Sequence, residues 1–180
     1  MTNYFTSDSH FGHENVIRYC NRPFANADEM DEAMIERWNA IVKPNDTVYH
    51  LGDFAMGKNA APNILRRLNG TKHLIWGNHD SNQTRKLDLW ASSQYALEIK
   101  EADKLIVLCH YSMRVWNKSH YGSLMLYGHS HGSMEGNDQS LDVGVDCWNF
   151  EPITLEQILE RMATLPPWKN VDHHKKDEYA

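Results

Sequence analysis

The sequence has no excess of positive charge, no long apolar run and few cysteines. With 18 Lys and Arg against 24 Asp and Glu, its formal net charge is −6. A chain-wide basic footprint for nucleic acid is therefore missing. No apolar run approaches the length of a membrane span, which removes the bilayer from the expected partners. The N-terminus has no signal-peptide pattern, and the first expected strand starts almost at Met1. Cys20, Cys109 and Cys147 are an odd number, widely spaced, without a C-x-x-C pair. Thiols of that kind suit a reducing cytoplasm better than a disulfide framework, so the expected location is cytoplasmic. No internal repeat or second domain is visible, and 180 residues are enough for one domain with a sizeable core.

What is there is unusual in one respect: 11 histidines. His173 and His174 fall in a polar tail and are expected to face water. Apolar residues make up 41% of the chain, slightly little, but six Trp and eight Met supply bulky packing material.

Taken in order, the chain alternates short strands with helices, which reads as an α/β fold. Thr2 to Thr6 is an expected strand, and Asp8-Ser9-His10-Phe11-Gly12-His13 follows it. In extended chain, Asp8 and His10 would share one side of the backbone, as chelation requires. His13 reads equally as a substrate-facing or a structural residue. From Asn26 to Val42, Met30, Met34, Ile35, Trp38, Ile41 and Val42 recur at helical spacing, with Asn26 as N-cap and Pro44 as the stop. The loop before it carries Arg18 and Arg22, which would clamp a phosphate or simply be solvated.

Asp46 to Leu51 is a second strand, ending in Gly52-Asp53. Asn59 to Leu68 is a helix, capped by Asn59 and closed by Gly70. Lys72 to Trp76 is a third strand, delivering Asn78, His79 and Asp80. Gln94 to Ile99 and Lys104 to Cys109 are further strands, the latter delivering His110. Ser123 to Tyr127 delivers His129-Ser130-His131, and Ser140 to Val145 is the last expected strand. Thr154 and Gln157 form a capping box before an amphipathic helix that Pro166-Pro167 ends. Residues 1–165 form the expected domain, and 166–180 a polar, disordered tail.

Asp8, His10, Asp53, Asn78, His110, His129 and His131 thus all fall at strand ends, where open α/β sheets place ligands. They are oxygen and imidazole donors with no thiolate, which suits Mn²⁺ first, then Fe or Zn²⁺. Seven donors are too many for one ion and suit two sharing a carboxylate. Asp53 is the natural bridge, since a carboxylate offers two oxygens.

The ordered set D-x-H, G-D, G-N-H-D, His and G-H-x-H, from Asp8 to His131, resembles the calcineurin-like metallophosphoesterase superfamily. The resemblance implies a metallophosphoesterase-type sandwich of two mixed β-sheets flanked by helices (αββα). It implies a first metal held by Asp8, His10, Asp53 and His131, and a second by Asp53, Asn78, His110 and His129. It makes His79 the general acid or transition-state stabiliser, oriented by Asp80, and a hydroxide shared by the two ions the nucleophile. The implied substrate is a phosphoester, a phosphodiester in preference to a monoester, with nucleotides or cyclic nucleotides among the candidates.

Two departures narrow the branch. Protein Ser/Thr phosphatases of this superfamily carry Arg before G-N-H and Glu after it, where this chain has Trp76 and Asp80. The stretch from Phe11 to Pro44 is long for a plain connection, and its Arg18, Arg22 and Lys43 are candidates for substrate selection. Lys58 and Arg114, beside motif loops, are further phosphate candidates. Two other classes compete with a metal-dependent esterase. Gly128 to Gly132 also spells G-x-S-x-G, the serine hydrolase elbow, with Ser130 as nucleophile, but a turn follows where a helix is needed. A non-catalytic metal-binding scaffold is the other, and it normally shows itself by missing ligands.

Overall fold

The computed structural model describes residues 1–57 and 59–171. Among the described residues, nine strands form two mixed sheets: β1 Asn3–Thr6, β2 Thr47–His50, β3 Thr71–Ile75, β4 Ser92–Gln94, β5 Ala96–Glu101, β6 Lys104–Cys109, β7 Leu124–Tyr127, β8 Ser140–Asp142 and β9 Ile153–Thr154. The first sheet has the order β4-β3-β2-β1-β9, parallel except for β9. The second has the order β5-β6-β7-β8, parallel except for the β5–β6 hairpin. The helices flanking them are α1 Glu14–Tyr19, α2 Ala27–Ile41, α3 Ala60–Leu65, α4 Asn82–Arg85 and α5 Leu155–Met162.

Burial explains the layering. Phe5 and Ile75 from the first sheet, with Leu51 just past β2, meet Ile106, Leu108, Leu124 and Leu126 from the second, and α5 adds Ile158 and Met162. The other face of the first sheet carries Val48 and Leu74, packed under Met30, Met34, Ile35 and Trp38 of α2. Parallel strands covered on both faces have no need of polar alternation, and β7 is buried at all four positions. On the hairpin edge the alternation returns: Leu97 and Ile99 are half-buried while Ala96, Glu98 and Lys100 are exposed.

Helix starts follow local chemistry. Asn26 Oδ1 accepts from the Glu29 N–H at 2.9 Å, and Thr154 and Gln157 make the reciprocal capping box. Asn59, by contrast, makes no side-chain cap, and α3 ends at Leu65, short of Leu68. The expected strand Gln94 to Ile99 is two strands in different sheets, because the chain leaves the first sheet after Gln94 and enters the second at Ala96. The long first connection contains α1, whose few apolar residues hide its period. The last expected strand stops at Asp142, and residues Val145–Cys147 form a 3₁₀ turn. Pro166 to Val171 are partly docked: the Trp168 N–H donates to Asp138 Oδ1 at 2.6 Å and its ring lies 5.1 Å from Trp116. The rest of the expected tail, 172–180 with His173 and His174, lies outside the described residues, as does Lys58.

Candidate metal centre

Five of the seven candidate ligands adopt left-handed backbone: Asp8 (φ 57°), His10 (φ 51°), Asp53 (φ 56°), His129 (φ 66°) and His131 (φ 47°). Non-glycine residues rarely sit there, and such strain gathers at functional sites. It also corrects the expectation for Asp8 and His10. Strand β1 ends at Thr6, so these side chains converge through two tight turns and not through strand alternation. Three glycines let the loops close in. A Cβ on Gly77 would collide with Asp53 Oδ1, and one on Gly128 with Ser7 Oγ and Asp8 Oδ2. On Gly52 (φ 95°) it would strike the Gly77 amide.

The loops are stitched by their own amides. The His129 N–H donates to Asp8 Oδ2 at 2.9 Å, and the His79 N–H to Asp53 Oδ1 at 2.8 Å. Each carboxylate is thereby left with one oxygen turned to the cluster. Asp8 Oδ1 is buried and has no hydrogen-bond partner, and the same holds for His10 Nε2. Asp53 Oδ2 lies 3.6 Å from His10 Nε2 and 3.5 Å from His110 Nε2. Asp8, His10 and His131 present donor atoms within 4.8 Å of one another, and so do Asp53, His110 and His129. Asn78 Oδ1 lies 3.1 Å from His110 Nε2.

The imidazoles are held with lone pairs inward. His110 Nδ1 donates to the Leu51 carbonyl at 2.7 Å, so the neutral ring turns an unprotonated Nε2 toward the oxygens of Asn78 and Asp53. His131 Nδ1 donates to Asp146 Oδ2 at 2.7 Å, while its Nε2 lies 3.9 Å from Asp8 Oδ1. An outer carboxylate or carbonyl fixing the ring in this way is the usual support of a metal-ligating histidine. With both rings neutral, acceptors face acceptors in a buried space, an arrangement that a cation among them satisfies. The residues present therefore fit a divalent metal.

Burial pushes the Asp8 carboxyl up to about 7, against the pull of His131 and His110. For Asp53 burial also works upward, but His110, the His79 amide and His10 hold it at about 2. Burial lowers His10 to about 3. His110 and His131 are raised despite burial, by Asp53 and by Asp146 respectively.

Three residues do other work than expected. Arg22 is buried and fully engaged: Nε and Nη2 each donate to Asp146 at 2.8 Å, Nη1 to the Ser9 carbonyl and Nη2 to the Asp8 carbonyl. It braces the first loop and has no donor left for a substrate. Asp80 does not reach the His79 ring; its carboxylate accepts from the amides of Gly77, Asp53 and Phe54 at 2.8–3.0 Å. It joins two loops and so sets Asp53, not His79. Ser130 Oγ is committed to Asp142 Oδ2 at 2.5 Å, and residues Ser130 to Gly132 turn without entering a helix, as an elbow nucleophile would.

His79 is exposed at its loop tip, with its ring 5.3 Å from that of His10. His13 stands beside both, Nδ1 at 3.4 Å from His10 Nδ1 and ring 6.4 Å from His79. Arg18, on α1, is exposed and lies over Tyr19. His50 is buried with Nε2 2.8 Å from Ser9 Oγ, a packing residue behind the first loop. Sequence reading missed Asp146, whose partner Arg22 is 124 positions away and leaves no local pattern. It also missed Tyr111, whose ring packs 4.8 Å from His129 and whose hydroxyl donates to Asn78 Oδ1 at 3.3 Å; its place directly after His110 was the available signal. Cys20 Sγ lies 3.4 Å from His131 Nδ1, but that nitrogen already serves Asp146, so this trio is no separate centre.

Two mixed sheets with a histidine–carboxylate cluster on their strand tips define an α/β protein with a candidate metal centre. The chain matches the calcineurin-like phosphoesterase superfamily domain over residues 1–146 and belongs to that family. It is 31% identical to an uncharacterized protein of Methanocaldococcus jannaschii, over 87% of this chain and 89% of that one. The gene 66 protein of Mycobacterium phage L5 is 24% identical, over 81% of this chain and 86% of its own. A protein of unknown function from Aquifex aeolicus shares the fold, with a TM-score of 0.71, 24% identity, and coverage of 89% and 98%.

Proposed function

We propose that the chain is a metal-dependent phosphoester hydrolase, acting on phosphodiesters in preference to monoesters. The observation that carries this reading is Asp53 Oδ2, about equidistant from histidines of two clusters at 3.6 and 3.5 Å. Asp8, His10, Asp53 and His131 would hold one divalent cation, and Asp53, Asn78, His110 and His129 the other. When bound, such a pair supplies Lewis-acid polarisation of the phosphoryl group and a water acidified toward neutral pH. Mn²⁺ is the proposed ion, since the donors are oxygen and imidazole.

The chain's own residues do the rest. His79 stands at the open side of the cluster, where it donates a hydrogen bond to the phosphoryl oxygens or a proton to the leaving oxygen. Asp80 holds the amides that set Asp53, and Asp146 holds the His131 ring. No covalent enzyme intermediate is needed. Asn78 and His129 are exposed, so the cluster is open enough for an ester with two substituents.

A panel of bis-p-nitrophenyl phosphate, p-nitrophenyl phosphate and 2′,3′- and 3′,5′-cyclic nucleotides, assayed with Mn²⁺, tests this. Metal-dependent cleavage, fastest on diesters, is the expected result. Protein that binds two ions yet cleaves none of them would mark a scaffold instead.

A further inference from the structure

A cleft of about 560 Å³ opens at His131 and runs to the C-terminal end of α5, where Arg161 and Leu165 line it. That volume lies within the range of small-molecule sites, about 300–1,000 Å³. Trp148, Met134 and Leu165 supply apolar surface. Two of its carboxylates are already spent. Asp142 accepts from the Ser130 hydroxyl and the amides of Gly132 and Gly144, and Asp146 from Arg22 and His131.

Two charged groups remain uncommitted. Glu135 is exposed and engages no other described residue, and the shortest side-chain bond of Arg161 is a long one, 3.5 Å to Thr164 Oγ1. One acceptor and one multiple donor beside an aromatic ring suit hydroxyl groups carried on a ring, because hydroxyls both donate and accept. An arm with a further phosphate would meet the Glu135, Asp142 and Asp146 carboxylates, and a purely apolar arm would make no use of Glu135 or Arg161.

We propose that this cleft is the subsite for the second arm of a phosphodiester, and that the arm is a neutral, hydroxyl-bearing ring of the sugar type. The inference rests on the hydrolase reading, and it names the substrate class that the shared metal donors leave open. His131 joins the two regions, since it belongs to the metal cluster and to the cleft wall.

The test uses the Mn²⁺-loaded full chain and three p-nitrophenyl phosphodiesters, with ribose, phenyl or ribose phosphate as the other arm. The ribose arm is expected to give the highest kcat/KM. Glu135→Ala, which removes one good polar contact, and Leu165→Trp, which fills the cleft, should each reduce the ribose-to-phenyl ratio about tenfold. Ligand-observed NMR on metal-free protein with the phenyl phosphodiester of methyl riboside reads the same cleft without turnover. Riboside contact that both variants lose supports the subsite, even where no ester is cleaved and the hydrolase reading fails. Equal turnover of all three arms, with no riboside contact, overturns the subsite and leaves the hydrolase intact. A preference for the ribose phosphate arm also overturns it.

Discussion

The two halves of the cluster are built differently. Around Asp8, His10 and His131 the chain is closed: Asp8 and His10 are buried, and a salt bridge between Arg22 and Asp146 stands behind them with both side chains out of water. Around His129 it is open: His110 is buried, but His129 and Asn78 are exposed, and among the described residues the half-open ring of Tyr111 lies over them. A donor set fixed in advance gives up little entropy on binding an ion, whereas exposed donors must be ordered by it. The difference predicts that the two ions proposed to share Asp53 would differ in affinity, the closed half retaining its ion and the open half exchanging it.

The variant that breaks both halves should have the largest effect. Asp53→Ala is expected to abolish turnover and binding of both ions, measured by phosphodiester assay and by metal content. Next, Arg22→Met should leave the buried Asp146 with His131 as its one remaining partner, lowering stability by up to about 3–5 kcal/mol in chemical unfolding. It should also weaken the closed half's ion more than the open half's.

His79→Gln separates chemistry from binding. It should reduce kcat by about 10²–10⁴-fold, the usual worth of a general acid, while metal content stays unchanged. Loss of metal in that variant would make His79 a ligand.

His50 gives a pH test on the closed half. Burial lowers it to about 3, from an unfolded value of 6.5. Below pH 6.5 the unfolded chain takes up a proton that the folded ring refuses, so stability falls as pH drops from 6.5 toward 3. His50→Gln should flatten the stability–pH slope of metal-free protein by up to about 1.4 kcal/mol per unit in that window. The smallest change is expected from Tyr111→Phe, which removes one hydroxyl from Asn78. It should weaken only the open half's ion, by a few-fold at most, read by Mn²⁺ titration.

The same contrast shows what was legible in the sequence. Strand-then-ligand order is local, so Asp8, His10, Asp53, Asn78, His110, His129 and His131 could be read off one after another, and the structure brings these seven together. The α2 stripe and the caps at Asn26 and Thr154 are equally local. What supports the closed half is not. Arg22 meets Asp146 across 124 positions, and a buried arginine looks like a solvated one in sequence. Asp80 follows His79 directly, which suggested a partnership, yet one amide of its own loop and two of the Asp53 loop claim its oxygens. The left-handed turns at Asp8 and His10 left no trace either, since neither residue is glycine. Tyr95, the exposed residue between β4 and β5, gives no sign that the chain changes sheets there.

Anomalous diffraction from Mn²⁺-soaked crystals addresses the shared carboxylate directly. Two peaks about 3.5–4 Å apart with Asp53 between them are expected, the stronger on the Asp8 side. A single peak, or two peaks of which Asp53 touches only one, would contradict it.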